Sequence, residues 1–349
     1  MLVKVYTWEE YVLNDYVRIV IDTIGGDNGV SVCVKGAIEG LKNHSNVKLY
    51  LTGHKNDIDA CLSEYDYDKS RIEVIDCKEE ISLHESPVQA VREKKDSSMV
   101  VGLKLIKDGK ADAFISAGST GAILAGGQFV VGRAKGVKRT PLAHLLPTSN
   151  EPSLLLDCGA NVDVKPEVLL QFAEMGSIYM QCVCGVDNPR VAIANIGTEE
   201  EKGNSLVKKA YPLFKDSKII NFTGSIEARA IPYGKADVIV ADGFVGNTII
   251  KLYEGLSIMI LRELKGAFLA SVKSKIGAML IKKSMKKTLQ KFDASDKGGA
   301  PLLGLKGLVV KIHGNSKDGE VISAITQCVT FVENDVNGKI IKGFENSEE

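Results

Sequence analysis

The chain has 349 residues, 44% hydrophobic and 25% charged, the balance of an ordinary globular protein long enough for one large α/β unit or two lobes. Lys plus Arg and Asp plus Glu each number 44, so the net charge is zero and no bulk field favours nucleic acid as a partner. The seven cysteines lack metal-ligand spacing, because Cys182-x-Cys184 is too close for a C-x-x-C pair and the others are isolated; reduced thiols, no metal and no cofactor are expected.

Residues 1–16 carry Trp8, Glu9, Glu10 and Asp15 with no apolar core, so they do not read as a signal peptide. No stretch approaches about 18 uninterrupted apolar residues, and the expected location is the cytoplasm with at most peripheral membrane contact. Beyond this lead, short apolar runs predict strands at Arg18 to Ile21, Val47 to Thr52, Ile72 to Ile75, Ala113 to Ser116, Ser153 to Leu156, Val191 to Ala194, Ile219 to Phe222, Val238 to Ala241 and Leu308 to Ile312. Helical patterns separate them, such as Pro166 to Tyr179 with proline in the first turn. Strand and helix in turn predict an α/β fold with a mostly parallel sheet covered on both faces, so ligands collect beyond the strands' carboxyl ends. The polar and glycine clusters fall there: Asp22 with Gly25, Gly26 and Asp27; Ser116 to Gly121; Asp157 with Gly159 and Asn161; Asn195 with Gly197; Asp242 with Gly243; and His313 with Gly314.

One phrase occurs twice. Gly109-Lys110-Ala111-Asp112, an apolar run and Gly118-Ser119-Thr120-Gly121 return as Gly234-Lys235-Ala236-Asp237, an apolar run and Gly243-Phe244-Val245-Gly246. A repeat 125 residues apart is no solenoid and argues for two related halves. Each Gly-x-x-Gly loop sits where a strand gives way to a helix. It serves either as a tight turn or as an anion site made from unpaired backbone N–H groups at a helix start.

Charge is concentrated in one segment. Arg262, Lys265, Lys273, Lys275, Lys282, Lys283, Lys286, Lys287 and Lys291 face a single acid, Glu263. Leu261, Leu264, Phe268, Val272, Ile276, Met279 and Leu280 recur between them at helical spacing, with Gly277 as the expected break between two helices. Residues 255–292 therefore read either as helices packed on the core with a solvated basic face, or as a basic amphipathic protrusion that meets anionic lipid or an acidic protein.

Familiar catalytic motifs are missing. Gly25-Gly26-Asp27-Asn28-Gly29 has the wrong spacing for a dinucleotide fingerprint, and neither a nucleotide-binding P-loop nor a G-x-S-x-G elbow occurs. Ser119, Thr120 and Cys158 have no sequence-evident base. What remains are small hydrogen-bonding residues at strand ends, among them Asn161 and Asn247, and a few cations, Lys202, Arg229 and His313. Such a set suits a reaction whose nucleophile is itself a bound anion, with catalysis by positioning and oxyanion stabilisation.

From about Val17 to Val332 the chain resembles the bacterial phosphate acyltransferases of the PlsX family. The resemblance rests on Ile21-Asp22-Thr23-Ile24-Gly25-Gly26-Asp27, Ser116 to Ala122, Leu156-Asp157-Cys158-Gly159-Ala160-Asn161, Asn195-Ile196-Gly197, Asp242 to Asn247 and Gly298 to Gly304. It implies transfer of a long-chain acyl group from acyl carrier protein to inorganic phosphate, giving acyl phosphate for a membrane glycerol-3-phosphate acyltransferase in phospholipid synthesis; the alternatives are a short-chain phosphotransacylase using acyl-CoA and a non-enzymatic membrane-surface scaffold for lipid enzymes. It also implies a homodimer and a three-layer α/β/α fold like those of isocitrate and isopropylmalate dehydrogenases and phosphotransacetylase. Residues 17–335 are then one catalytic domain with two pseudo-symmetric halves and the 255–292 protrusion; residues 1–16 are an extension outside the resemblance, and 336–349 read as a polar tail. Departures are Thr23-Ile24, Ser119, Val30 and Ala230, where the family usually has Ala-Met, Asn, a nearby Pro and Asp. The expected phosphate contacts are Asp22, Gly25, Gly26, Asp27, Ser116, Gly118, Ser119, Thr120, Gly121, Asp157, Asn195, Asp242, Gly243 and Asn247. Lys202, Arg229, His313 and Asn161 are the expected catalytic groups.

Overall fold

The computed structural model describes residues 16–290 and 298–345. In chain order its elements are β1 (Val17–Asp22), α1 (Gly29–Asn43), β2 (Val47–Gly53), α2 (Lys55–Leu62), β3 (Ile72–Asp76), α3 (Pro87–Glu93), α4 (Ser98–Lys107), β4 (Ala113–Ser116), α5 (Thr120–Gly126), β5 (His144–Leu146) and β6 (Ser153–Leu156). Then follow α6 (Pro166–Cys184), β7 (Arg190–Asn195), α7 (Ser205–Asp216), β8 (Asn221–Glu227), β9 (Val238–Val240), α8 (Gly243–Leu269), α9 (Val272–Gln290), β10 (Ala300–Leu302), β11 (Leu308–Lys311), α10 (Asp318–Glu333) and α11 (Val336–Glu345). They gather into two compact units, with Val137 opening the second and the chain returning to the first after α9.

Unit 1 carries a sheet ordered β10-β11-β4-β1-β2-β3, parallel except for β10. Its central strand β4 is buried along its whole length, because helices cover both faces, α1 with α10 on one and α4 on the other. Unit 2 carries β5-β6-β9-β7-β8, parallel except for β5. The pairing order is shared: a short antiparallel edge strand, then four parallel strands in equivalent order, to which unit 1 adds β3 as a fifth. The repeated phrase occupies equivalent places, β4 with its flanking loops in one unit and β9 in the other.

Its Asp has a defined task in each copy. Asp112 accepts hydrogen bonds from the backbone N–H, Nε and Nη2 of Arg18 at the start of β1, while Arg18 Nη1 donates to the Gly109 carbonyl. Asp237 takes the same three bonds from Arg190 at the start of β7, and Arg190 Nη2 donates to the Gly234 carbonyl. Burial pushes the Asp237 carboxyl up, but the Arg190 bonds outweigh it and hold the group below its ordinary range. The Gly-Lys-Ala-Asp half of the phrase is thus a clamp that pins a turn to the neighbouring strand.

Four expectations change. The predicted strand at Ile219 starts later, at Asn221, and runs on to Glu227, because Thr223-Gly224 forms a bulge opposite Ala192, with Gly224 at φ +97°, and pairing resumes beyond it. The basic helices break at Ala270–Ser271 instead of Gly277: the Ser271 hydroxyl accepts the Ser274 N–H and starts a new helix, whereas Gly277 lies inside it. Residues 336–345 are not a polar tail but helix α11, with Val336, Ile340 and Phe344 buried at helical spacing. The strands β5 and β10, missing from the sequence reading, are three-residue edges, and β10 includes Pro301.

Candidate functional site

The carboxyl ends of unit 1's strands present three loops side by side. The first follows β1. Asp22, 2% exposed, accepts from Ser98 Oγ at 2.6 Å and Ser116 Oγ at 2.7 Å and, through longer bonds, from the N–H groups of Ile24 and Gly25. Burial raises its pKa in spite of these bonds. Asp22 and Ser116 were expected to touch phosphate, but both are consumed in shaping the loops: Ser116 Oγ also accepts from the Gly118 N–H at 3.0 Å. Ser98, the second hydroxyl on Asp22, lies 76 residues away and no local pattern marked it.

The second loop, Ala117 to Ser119, opens α5, whose capping residue Ser119 makes no side-chain bond to the first turn. Ser119 is half-buried and Thr120 exposed. Gly118 packs against the Gly25 backbone, and Gly121 against Pro87. The third loop follows β11, where Asp27 N–H donates to the Gly314 carbonyl at 2.7 Å and exposed His313 directs Nδ1 toward the Asn315 N–H. Unit 1 thus brings together Gly25, Gly26, Asp27, Gly118, Ser119 and His313.

Unit 2 gathers a second group. Asp157, wholly buried, accepts from the N–H groups of Leu142, Ala160 and Asn161 and from Asn161 Nδ2. Burial is again the leading effect and raises the carboxyl. Asn161 Nδ2 spends its other hydrogen on the Thr140 carbonyl, and the Asn161 carbonyl accepts from the Gly243 N–H. Asp157 and Asn161 therefore organise the loop rather than offer free donors to a ligand. Asp242 caps α8 by accepting the Val245 N–H at 2.8 Å, so this copy of the phrase fills its own helix start. Gly243 and Gly246 sit against backbone carbonyls of Asn161 and Asp157; their lack of a side chain serves helix-to-loop packing. Asn247 is exposed beside Gly159.

Two of the cations expected to be catalytic, Lys202 and Arg229, are ion-paired. Lys202 bonds Glu199 at 2.7 Å, and Arg229 places Nε and Nη2 on Glu227 with its side chain 84% exposed. Asn195 directs its amide at the Lys202 carbonyl and Ser225. These three belong to unit 2 and His313 to unit 1. Arg139, an exposed cation next to Thr140 and hence to the Asn161 amide, escaped the sequence reading because nothing local distinguishes it. Cys158 is buried, its Sγ donates to the Leu155 carbonyl, and burial lifts the thiol far above its ordinary range, which leaves it inert as a nucleophile. Among the described residues no cluster of His, Cys, Asp and Glu is arranged to hold a metal.

The third feature is α8 with α9. Only the start of α8 is buried, through Gly243, Gly246, Ile249 and Ile250. Beyond it Leu261, Leu264, Val272, Ile276, Met279 and Leu280 are all exposed, Leu280 by 81%, with Phe268 half-buried. Arg262, Lys265, Lys273, Lys275, Lys282 and Lys283 are exposed among them, whereas the side chains of Lys286 and Lys287 and all of Lys291 lie outside the described residues. The stripe is not spent on the core. Helix α8 is also long and apolar enough to cross a membrane by length and composition alone, although Lys251 and Glu254, paired at 2.7 Å, interrupt its apolar run.

Mostly parallel sheets covered by helices, with polar loops at the strands' carboxyl ends, define an α/β protein of the class that binds ligands at those ends. Solved structures share the fold: a phosphotransacetylase from Streptococcus pyogenes superposes with a TM-score of 0.58 at 18% identity over 93% of this chain and 96% of its own, and the EutD phosphotransacetylase from Staphylococcus aureus with 0.57 at 20% over 92% and 96%. The profile of the fatty acid synthesis protein family matches residues 17–339, and the chain belongs to that family. It is 51% identical over 326 residues to the phosphate acyltransferase of Alkaliphilus oremlandii, spanning 93% of this chain and 97% of that protein, and 46% identical over 327 residues to that of Clostridium acetobutylicum, spanning 94% and 98%. The protein is an enzyme of the acyltransferase class.

Proposed function

We propose that this enzyme transfers a long-chain acyl group from acyl carrier protein to inorganic phosphate, releasing acyl phosphate for a membrane glycerol-3-phosphate acyltransferase in phospholipid synthesis. The observation that carries the acceptor is the near full-length similarity to proteins named phosphate acyltransferase. The donor is argued from α8 and α9: an exposed apolar stripe flanked by cations suits an acidic carrier protein and the anionic surface of a membrane, more than a small coenzyme A thioester requires. The same stripe gives a homodimer an apolar face to bury, and the enzyme works in the cytoplasm at the membrane surface.

In mechanism, bound phosphate attacks the thioester carbonyl directly. An oxygen–carbon bond forms, the tetrahedral oxyanion collapses, and the carrier thiolate leaves and takes up a proton. The inert Cys158 and the absence of a base on Ser119 among the described contacts support this over a covalent acyl-enzyme. Incubation with phosphate and either palmitoyl carrier protein or acetyl-CoA tests the reading. Acyl phosphate should form from the carrier substrate, with no acylated Cys158 or Ser119 by mass spectrometry when phosphate is omitted. Preferential turnover of acetyl-CoA, or a stoichiometric adduct, overturns it.

A further inference from the structure

The phosphate contact in unit 1 is narrowed by a hydroxyl that no described residue satisfies. Ser316 is 5% exposed, and its Oγ is buried without a hydrogen-bond partner. A buried, unpaired hydroxyl is costly and rare in a folded protein. Ser316 lines a pocket of about 10 Å³ together with Gly26, Asn28, Gly29, Ala117 and Gly314. That volume admits one oxygen atom.

The pocket lies at the start of α1, a helix of 15 residues with no acid in its first turn and no side-chain cap. Asn28 stands at the capping position, but its amide donates instead to the carbonyls of Asn315 and Ser316, both at 2.9 Å. It ties the loop bearing Ser316 to the helix start and leaves the first-turn N–H groups without a side-chain acceptor. Gly26 at φ +106° cannot carry a side chain, since a Cβ there would meet Ala117 and the Gly314 carbonyl. The rest of the lining is neutral: Val32, Ile312 and Val321 are apolar, and burial pushes the Cys33 thiol up to about 12. Asp27 is exposed beside it, with Oδ2 3.3 Å from where a Cβ on the lining residue Gly314 would stand. A carboxylate there repels a fully ionised oxyanion and accepts a hydrogen bond from a protonated one.

We propose that this pocket is the phosphate subsite: one oxygen of hydrogen phosphate enters it, accepts from Ser316 Oγ and the first-turn N–H groups of α1, and the phosphate P–OH donates to Asp27. The proposal rests on phosphate being the acyl acceptor. With only one oxygen sequestered, another stays free for attack. The same geometry selects phosphate over sulfate, which has no proton to give Asp27 near neutral pH.

Inorganic phosphate is the probe, with binding followed by ³¹P line broadening in the absence of acyl donor and KM measured in its presence. Ser316→Ala should raise the phosphate KM and dissociation constant about tenfold at unchanged donor KM, and Ser316→Thr should recover most of the loss. Ser31→Glu adds a carboxylate to the exposed first turn of α1; it should weaken phosphate binding to a similar extent without lowering the melting temperature. Sulfate should compete at least tenfold less well than phosphate. If Ser316→Ala lowers thermal stability but leaves phosphate binding and KM unchanged, the pocket holds a structural water only and the proposal falls while acyl transfer stands. Equal competition by sulfate likewise overturns it. A parent enzyme that neither broadens the phosphate signal nor forms acyl phosphate overturns the functional reading and the proposal together.

Discussion

Replacing Asp157 with Ala removes the acceptor for four donors at once, the N–H groups of Leu142, Ala160 and Asn161 and the Asn161 side-chain amide, at 2.6 to 3.1 Å. Stranding a buried donor costs roughly 1–3 kcal/mol, partly offset because an expensive buried carboxylate disappears and water enters the space, which leaves a net loss of ~3 kcal/mol. At typical unfolding entropies that lowers the melting temperature by about 4 °C if the chain unfolds as a whole, and by about 9 °C if unit 2 unfolds by itself. Asp157→Asn keeps the shape but turns an amide N–H₂ toward donors, so it should destabilise comparably; that separates hydrogen bonding from packing. Thermal unfolding by circular dichroism reads the stability. Amide exchange should quicken at Leu142, Ala160 and Asn161 specifically. A melting temperature within about 1 °C of the parent for both variants, with unchanged exchange, refutes the view that this carboxylate organises the loop.

Other expectations follow from single contacts. Glu174 on α6 is half-buried, and burial alone raises it to about 7, so the stability tied to its protonated form is complete below the ordinary glutamate range and is lost as pH climbs through 7. Glu174→Gln should therefore stabilise the protein more at pH 8 than at pH 5, by on the order of 1 kcal/mol once solvent screening is allowed for; no pH dependence in the difference refutes the assignment. Gly246→Ala would drive a methyl into the Asp157 carbonyl and should cost at least ~3 kcal/mol or abolish folding, while Gly255→Ala on the same helix meets nothing and should gain up to about 1 kcal/mol, both read by denaturant unfolding. Changing Lys265, Lys273, Lys282 and Lys283 to Glu should cut binding to anionic vesicles and turnover of acyl carrier protein, with parental binding as the refuting result, and salt should weaken the parental contact over a screening length of about 8 Å.

The alternation of strands and helices was legible in the sequence because parallel strands buried on both faces must be apolar runs, and burial of this kind is a local property. All nine predicted strands are present, and the repeated phrase marks equivalent strands of two sheets with one pairing order. The basic amphipathic stretch was equally plain. Whether its stripe faced the core or the solvent was not, since periodicity defines a face but not what covers it; the fold leaves Leu280 and its neighbours bare. The polar residues divide in the same way. Asp22, Ser116, Asp157 and Asn161 stood out by type and place, yet their partners come from as far as 94 residues away, and those partners turn them into scaffolding. Ser316 carried no sequence signal at all. Its importance arises because the loop after β11 is tied to the start of α1, 288 residues earlier, and the hydroxyl enclosed there has no partner among the described residues. Which hydrogen-bonding groups remain free is a sum over contacts distant in sequence, and that sum exists only once the chain has folded.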